Sequence, residues 1–180
     1  TQAGVAEQST RFGEIANDLG GGPFTWTTNA EERTKLWQAR HDVYWAAVGL
    51  RPGTKPFATD VCVPFSRLAA GITETQKDIA SHGLIAPIGG HVGAGNFHCS
   101  PLIDMDNPAE VAAAREFNSR LVARALAMDG TCTGEHGVGQ GKMKYLAAEH
   151  GEDALAVMRS LKIAIDPEDL MNPGKLIPVA

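Results

Sequence analysis

The stretch LIAPIGGHVGAGNFHCSPLI, residues 84–103, decides how the chain is read. Its first nine residues, LIAPIGGHV, form an apolar run too short for a comfortable helix, which predicts a buried strand leading into a loop. FHCSPLI, 97–103, continues extended beyond that loop. Between them, His91 and His98 flank a glycine-rich turn at an interval of seven residues. Intervals of three or four share a helical face and an even interval shares a strand face; seven in a straight strand sends two side chains to opposite faces. Gly93 and Gly95 let the backbone bulge or turn, which would bring both rings to one point. The pair reads either as metal ligands or as two buried structural histidines.

Working outward, the pattern alternates helices with short extended segments. Val5, Phe12, Ile15 and Leu19 make a helical stripe that stops at Gly20–Gly22. FTWTT, 24–28, alternates and is rich in aromatic and threonine residues, which predicts a strand. Asn29 followed by Glu32 resembles an N-cap with a carboxylate at the third position, opening a helix to about Leu50. FATDVCVP, 57–64, reads as the next strand after a turn-rich connection. A helix from near Ser66 carries Leu68, Ile72, Thr75 and Ile79 on one face and ends at Gly83. Asn107-Pro108-Ala109-Glu110 opens another, with Ala114, Phe117, Leu121 and Ala125 inward and Gly130 closing it. A last helix carries Leu155, Met158, Leu161 and Ile165. The expectation is an α+β fold, a small antiparallel sheet with helices on one face and a C-terminal helical tail, in one domain over 1–180.

Composition narrows the function classes. The chain has 180 residues, 43% hydrophobic and 21% charged, with a net charge of -5. That is ordinary for a globular protein, and without a Lys/Arg run it argues against nucleic acid as the main partner. No apolar segment approaches the roughly 20 residues that span a bilayer. The opening TQAGVAEQ has neither methionine nor the character of a secretory or transit peptide, so a fragment or a processed chain is expected. Cys62, Cys99 and Cys132 form no CxxC pair and are odd in number. They read as small buried hydrophobes in a reducing, cytoplasmic setting.

A second glycine-rich stretch, TGEHGVGQGK, spans 133–142 and holds Glu135 beside His136. It matches no phosphate-binding loop, since Met143 stands where GxxxxGK[ST] needs Ser or Thr. His91, His98 and Glu135 together supply two nitrogens and a carboxylate, the ligand set of an open Zn²⁺ or Mn²⁺ site, with His136 free to act as general base. Such a set also arises by accident in unrelated loops, and Glu135-His136 also reads as a solvated turn. Arg40 lies on an otherwise apolar helix face near Leu36, Val43 and Ala47, which fits an anion partner, a structural salt bridge or a snorkelling side chain. Trp37, Tyr44 and Trp45 read as core.

HVGAGNFH, GTCTGEHGVGQGKMKYL and IDPEDLMNPGKLI, together with LWQARHDVYWA and TDVCVPFSRL, resemble the C-terminal region of FAD-linked 2-hydroxyacid oxidoreductases. The similarity runs along essentially the whole chain and is greatest to the D-lactate dehydrogenase branch. It implies a ferredoxin-like substrate domain with its first strand upstream, a flavin-binding domain outside this chain, and no oxidation by this chain alone. It further implies that His91, His98 and Glu135 bind a divalent metal and that His136 removes the substrate proton as hydride passes to FAD. Arg40 would hold the substrate carboxylate, Asn172 in NPGK would lie near the flavin with Lys175 assisting, and Asn96 would shape the loop. The substrate would be a small 2-hydroxyacid and the electron acceptor a cytochrome or quinone, reached from the cytoplasm or peripherally at the inner membrane. Apolar surface left by the missing domain would favour self-association. Ala94 departs from the family, in which many members carry Asp, so an orienting carboxylate is lost there. The residues alone also leave open a metal-dependent hydrolase and a non-catalytic binding module.

Overall fold

A computed structural model describes residues 1–177. Packing divides the chain into two compact units, one over Thr1–Ala46 and a second from Ala47 onward.

The first unit contains α1, Gln2–Asp18, and most of α2, Ala30–Gly49. Thr1 caps α1 by accepting the Gly4 amide at 3.1 Å, and Asn29 caps α2 by accepting from Glu31 and Glu32 at 2.9 and 3.1 Å. These caps satisfy amides that the first helical turn otherwise leaves unpaired. The strand expected over 24–28 does not form; the segment is coil. Alternation alone does not make a strand without a hydrogen-bonded neighbour, and Phe24 instead packs on Phe12 with ring centroids 4.9 Å apart. Trp37, Tyr44 and Trp45 are exposed at 55, 53 and 70%, not core. Leu36, Val43 and Ala47 recur on one side of α2, but Trp37, Tyr44 and Trp45 continue round it, and no residue of the helix is buried. The α1 stripe of Val5, Phe12, Ile15 and Leu19 is likewise exposed.

The second unit holds two small antiparallel sheets. β1, Lys55–Pro56, pairs with β5, Leu102–Ile103. The other sheet is ordered β2-β4-β3, from Val61–Cys62, Asn96–Cys99 and Ile88–Gly89. Flanking hydrogen bonds lengthen these ladders, including Thr59 N to Cys99 O at 3.2 Å and Leu102 N to Ile85 O at 2.8 Å. Within the run over 84–92 only Ile88–Gly89 pair as a strand, and the run is not buried as expected: Ile85 is 46% exposed and β3 has a neighbour on one side alone. The sheet is thus α+β as expected, and its central strand is the one that carries His98.

Strand alternation sorts the second unit into two chemistries. Val61 pairs with Phe97 and both point into the core; Cys62 pairs with Asn96 on the opposite face, where Asp60 and His98 also fall by parity. On the core side Val61, Phe97 and Cys99 meet Leu68 of α3, Leu68–Ser81, and Phe117, Leu121, Val122 and Ala125 of α4, Pro108–Ala127. Leu146 of α5, Leu146–His150, and Leu155 of α6, Glu152–Ile165, complete this core. Each fully buried side chain of this size contributes about 1.5–3 kcal/mol. Leu161 and Ile165, expected inward on α6, are exposed.

Ion pairs tie the helices down. Buried Asp78 of α3 accepts from Arg120 and Arg124 of α4, each at 2.8 Å. Burial pushes its carboxyl up, but the two guanidinium groups outweigh it and hold the pKa below its ordinary value. Arg51 forks onto Glu110 at 2.6 and 2.9 Å and holds that carboxyl at about 2. The cysteines are free. Burial pushes Cys99 and Cys132 up to about 12, which makes them inert small hydrophobes, whereas Cys62 is only half-buried.

Candidate active site and metal centre

The polar face of β2 and β4 is covered by the second glycine loop, and one buried carboxylate organises the junction. Asp60 has no exposed side-chain surface. Its Oδ2 accepts the amides of Gly134, Glu135 and His136 at 2.9, 3.0 and 2.9 Å, and its Oδ1 accepts Asn96 Nδ2 at 2.8 Å. Lys142 Nζ closes over it, 2.9 Å from Oδ2 and 2.8 Å from the Asp60 carbonyl. Burial pushes the Asp60 pKa up, but the bonds from His136, Lys142, Glu135 and Asn96 outweigh it and hold the group well below the carboxylate range. Only glycine fits at 134, where a Cβ would stand 1.8 Å from Asn96 Nδ2 and 2.5 Å from Asp60 Oδ1.

This anchoring brings Glu135 to both histidines. Glu135 Oε1 is 2.8 Å from His98 Nε2, and Glu135 Oε2 is 3.6 Å from His91 Nε2. The turn between the histidines is made by a short 3₁₀ segment, Val92–Ala94, and by Gly95 at φ +79°. Gly95 bonds Val63 across the strand, where a Cβ would come within 2.0 Å of the Val63 carbonyl oxygen. The reversal answers the awkward interval of seven: His98 stays on the strand's polar face while His91 returns to it from the loop. Cys62 Sγ donates to the Ala94 carbonyl at 3.3 Å, so residue 94 contributes backbone to the loop and no carboxylate.

His98 Nδ1 lies 3.1 Å from the Thr59 carbonyl oxygen, which can only accept, so this nitrogen carries the proton. Nε2 then faces the Glu135 carboxylate lone pair to lone pair at 2.8 Å, an arrangement that calls for a proton or a cation between them. Tetrahedral zinc with ligand bonds of ~2.1 Å sets its donor atoms roughly 3.4 Å apart. The Glu135 pairs at 2.8 and 3.6 Å bracket that spacing through two different carboxylate oxygens, so the donor types suit a divalent cation although each histidine meets its own oxygen. Among the described residues, the triple whose donor atoms all lie within 4.8 Å of one another is Asp60, His98 and His136. Asp60 is a poor ligand because its two oxygens, with about four lone-pair sites, already accept five donors. His91 therefore has further to come than Glu135 or His98. His91 and Glu135 are open to solvent, with side chains 59 and 44% exposed.

His136 is exposed and stacks on His98, with ring planes 6° apart and centroids at 4.8 Å. Its imidazole thus stands beside His98, one of the expected ligands, through ring stacking. Asn172 sits in an exposed tail turn at φ +51°, and the tail reaches the second glycine loop through Leu176 N to Gly139 O at 2.9 Å. Arg40 belongs to the first unit, exposed on α2, and among the described residues no ion pair to it is formed. Sequence reasoning missed Asp60 and Lys142. The available signal was a carboxylate two residues before Cys62 in an otherwise apolar strand, a position that must be paired if buried.

No described helix is long and apolar enough to cross a membrane. The chain is 52% identical over 173 residues to a protein of Danio rerio named "Probable D-lactate dehydrogenase, mitochondrial", a match covering 96% of this chain and 35% of that protein. It is 42% identical to "D-lactate dehydrogenase (cytochrome), mitochondrial" of Arabidopsis thaliana, over 99% of this chain and 31% of that one. "D-2-hydroxyglutarate dehydrogenase" of Escherichia coli is 38% identical over 73% of this chain and 14% of its own length. The chain thus spans about a third of the length of its first two curated relatives. The mitochondrial names give the cytoplasmic expectation no support. In fold, 84% of the chain superposes on 32% of the 4-ethylphenol oxidase of Gulosibacter chungangensis, with a TM-score of 0.53 at 18% identity. Residues 1–176 match the family described as "FAD linked oxidases, C-terminal domain", and the chain belongs to it.

Proposed function

We propose that this chain is the substrate- and metal-binding half of an FAD-dependent D-2-hydroxyacid dehydrogenase, with D-lactate as its substrate. The observation that carries this reading is the Glu135 carboxylate poised between His98 and His91, with the His136 ring stacked alongside. His91, His98 and Glu135 would hold a Zn²⁺ or Mn²⁺ ion, which supplies Lewis acidity that lowers the pKa of the substrate's C2 hydroxyl. FAD, bound mainly outside this chain, supplies the two-electron acceptor. The His136 imidazole takes the hydroxyl proton as the C2–H bond breaks and its electron pair leaves as hydride, so C2 becomes the carbonyl of the 2-oxoacid. Stacking on His98, itself fixed by Thr59, limits rotation of the His136 ring. Arg40, exposed and without an ion pair among the described residues, carries a planar fork that suits a carboxylate. Asn172 lies in the tail segment assigned to the flavin's surroundings.

Relatives named as dehydrogenases favour redox chemistry over the hydrolase that the ligand set alone allows. A cytochrome is the acceptor proposed here, in the mitochondrion and peripheral to the inner membrane, in line with the relatives' names. The test is D-lactate-dependent dye reduction by the flavin-loaded protein that carries this chain. Turnover with D-lactate, its loss in His136→Ala and no ester hydrolysis with added Zn²⁺ are expected. Undiminished turnover in His136→Ala would remove the proposed base.

A further inference from the structure

We infer that Asp60, neutralised by Lys142, is the positioning residue of the site: it sets where Glu135 and His136 stand relative to His98. This rests on the reading of His91, His98 and Glu135 as a divalent-metal site. The inference starts from a residue that needs an explanation. A carboxylate with no exposed surface is costly unless it is fully hydrogen-bonded and paired. Asp60 meets that condition by gathering three consecutive amides, those of Gly134, Glu135 and His136, at 2.9 to 3.0 Å. Three successive N–H groups converging on one oxygen form a backbone nest, which fixes the dihedrals of the residues that supply them. Those residues include the proposed ligand and the proposed base. Their side chains are exposed, and their backbone lies in a glycine-rich loop that Asp60 holds in place. The clamp therefore acts on Glu135 and His136 through the main chain.

The same carboxylate reaches the other ligand. Asp60 Oδ1 lies 3.6 Å from His98 Nδ1, on the side where the Thr59 carbonyl already takes the proton at 3.1 Å. A negative charge at that edge favours the Nδ1–H tautomer and leaves the Nε2 lone pair facing Glu135. Asn96 and Gly134 complete the fit, Asn96 by donating to Asp60 and Gly134 by leaving room for it. Lys142 arrives from the far end of the loop, its side chain only 13% exposed, and bonds both Oδ2 and the Asp60 carbonyl. Its charge balances the buried carboxylate, and its reach ties the loop's end to its start. With no exposed side-chain surface, Asp60 acts by holding the groups that face solvent.

The test separates positioning from plain structural support. Asp60→Asn removes the charge and places an NH₂ among donors, and it also strands Lys142 as an unpaired buried cation. The double variant Asp60→Asn/Lys142→Met removes that stranded charge while leaving the nest one neutral amide oxygen in place of a carboxylate. Thermal melting, Zn²⁺ affinity by calorimetry and amide exchange of peptides over 133–137 are measured in the flavin-loaded protein. Positioning predicts that the double variant recovers most of the melting temperature lost by Asp60→Asn. Its Zn²⁺ affinity stays roughly 10–100-fold below wild type, the usual loss when a group orienting a metal ligand is removed. Recovery of both melting and affinity in the double variant overturns the proposal, as does wild-type affinity in Asp60→Asn. Exchange decides the case where wild-type protein binds no Zn²⁺, a result that counts against the metal reading. Amides 134–136 protected in wild type and unprotected in both variants then support the clamp, and unprotected amides in wild type overturn it.

Discussion

Glu135 and His136 are neighbours in sequence, and the proposed function divides the chemistry between them. Glu135 reaches both His98 and His91, while His136 reaches only the face of the His98 ring. Glu135→Gln keeps the size of the side chain and weakens its donor, so Zn²⁺ affinity in calorimetry is expected to fall at least tenfold. His136→Ala is expected to keep that affinity and to lose roughly 10²–10⁴ in turnover, the range for a general base. Gly134→Ala is expected to lose both, because its Cβ would overlap Asn96 Nδ2 and Asp60 Oδ1. Turnover of Gly134→Ala within twofold of wild type would show that the loop closes without this contact.

The elements show what local pattern can and cannot tell. Asn107-Pro108 opens α4 as read, since cap, proline and Glu110 all act within one turn. Its inward residues Ala114, Phe117, Leu121 and Ala125 are buried as the period of 3.6 requires. Phe117→Ala is expected to cost about 3–5 kcal/mol and to lower Tm by something on the order of 10 °C, measured by calorimetric melting. FTWTT failed as a strand because pairing is not a local property, and α2 failed as a core helix because none of its residues is buried, whatever their period. His91, His98, Glu135 and His136 drew attention because glycine-rich spacing marks unusual backbone and because of the family resemblance, and the fold brings their side chains near one another. Asp60 and Lys142 were not, because 82 residues separate them and only the folded sheet and loop bring them together.

At the scale of the whole molecule, acid sensitivity follows from carboxyls held below their ordinary pKa, Glu149 and Asp166 among them. Asp60, Asp78 and Glu110 all have folded pKa values below their ordinary ones. A depressed carboxyl contributes stability that is complete above its unfolded pKa of ~4 and is lost as pH falls toward its folded value. Melting temperature is therefore expected to stay level from about pH 7 to 5 and to decline below ~4, with Asp78→Asn starting lower and declining less. A decline beginning above pH ~6 would point to histidine protonation instead. The account's central claim is that one loop carries a metal ligand and the catalytic base side by side. It is tested most directly by pairing Zn²⁺ calorimetry with D-lactate-dependent dye reduction in the flavin-loaded protein, for wild type, Glu135→Gln and His136→Ala. The account predicts one ion per chain in wild type, weak binding and little turnover in Glu135→Gln, and intact binding without turnover in His136→Ala. Full turnover in His136→Ala, or unchanged binding in Glu135→Gln, would contradict it.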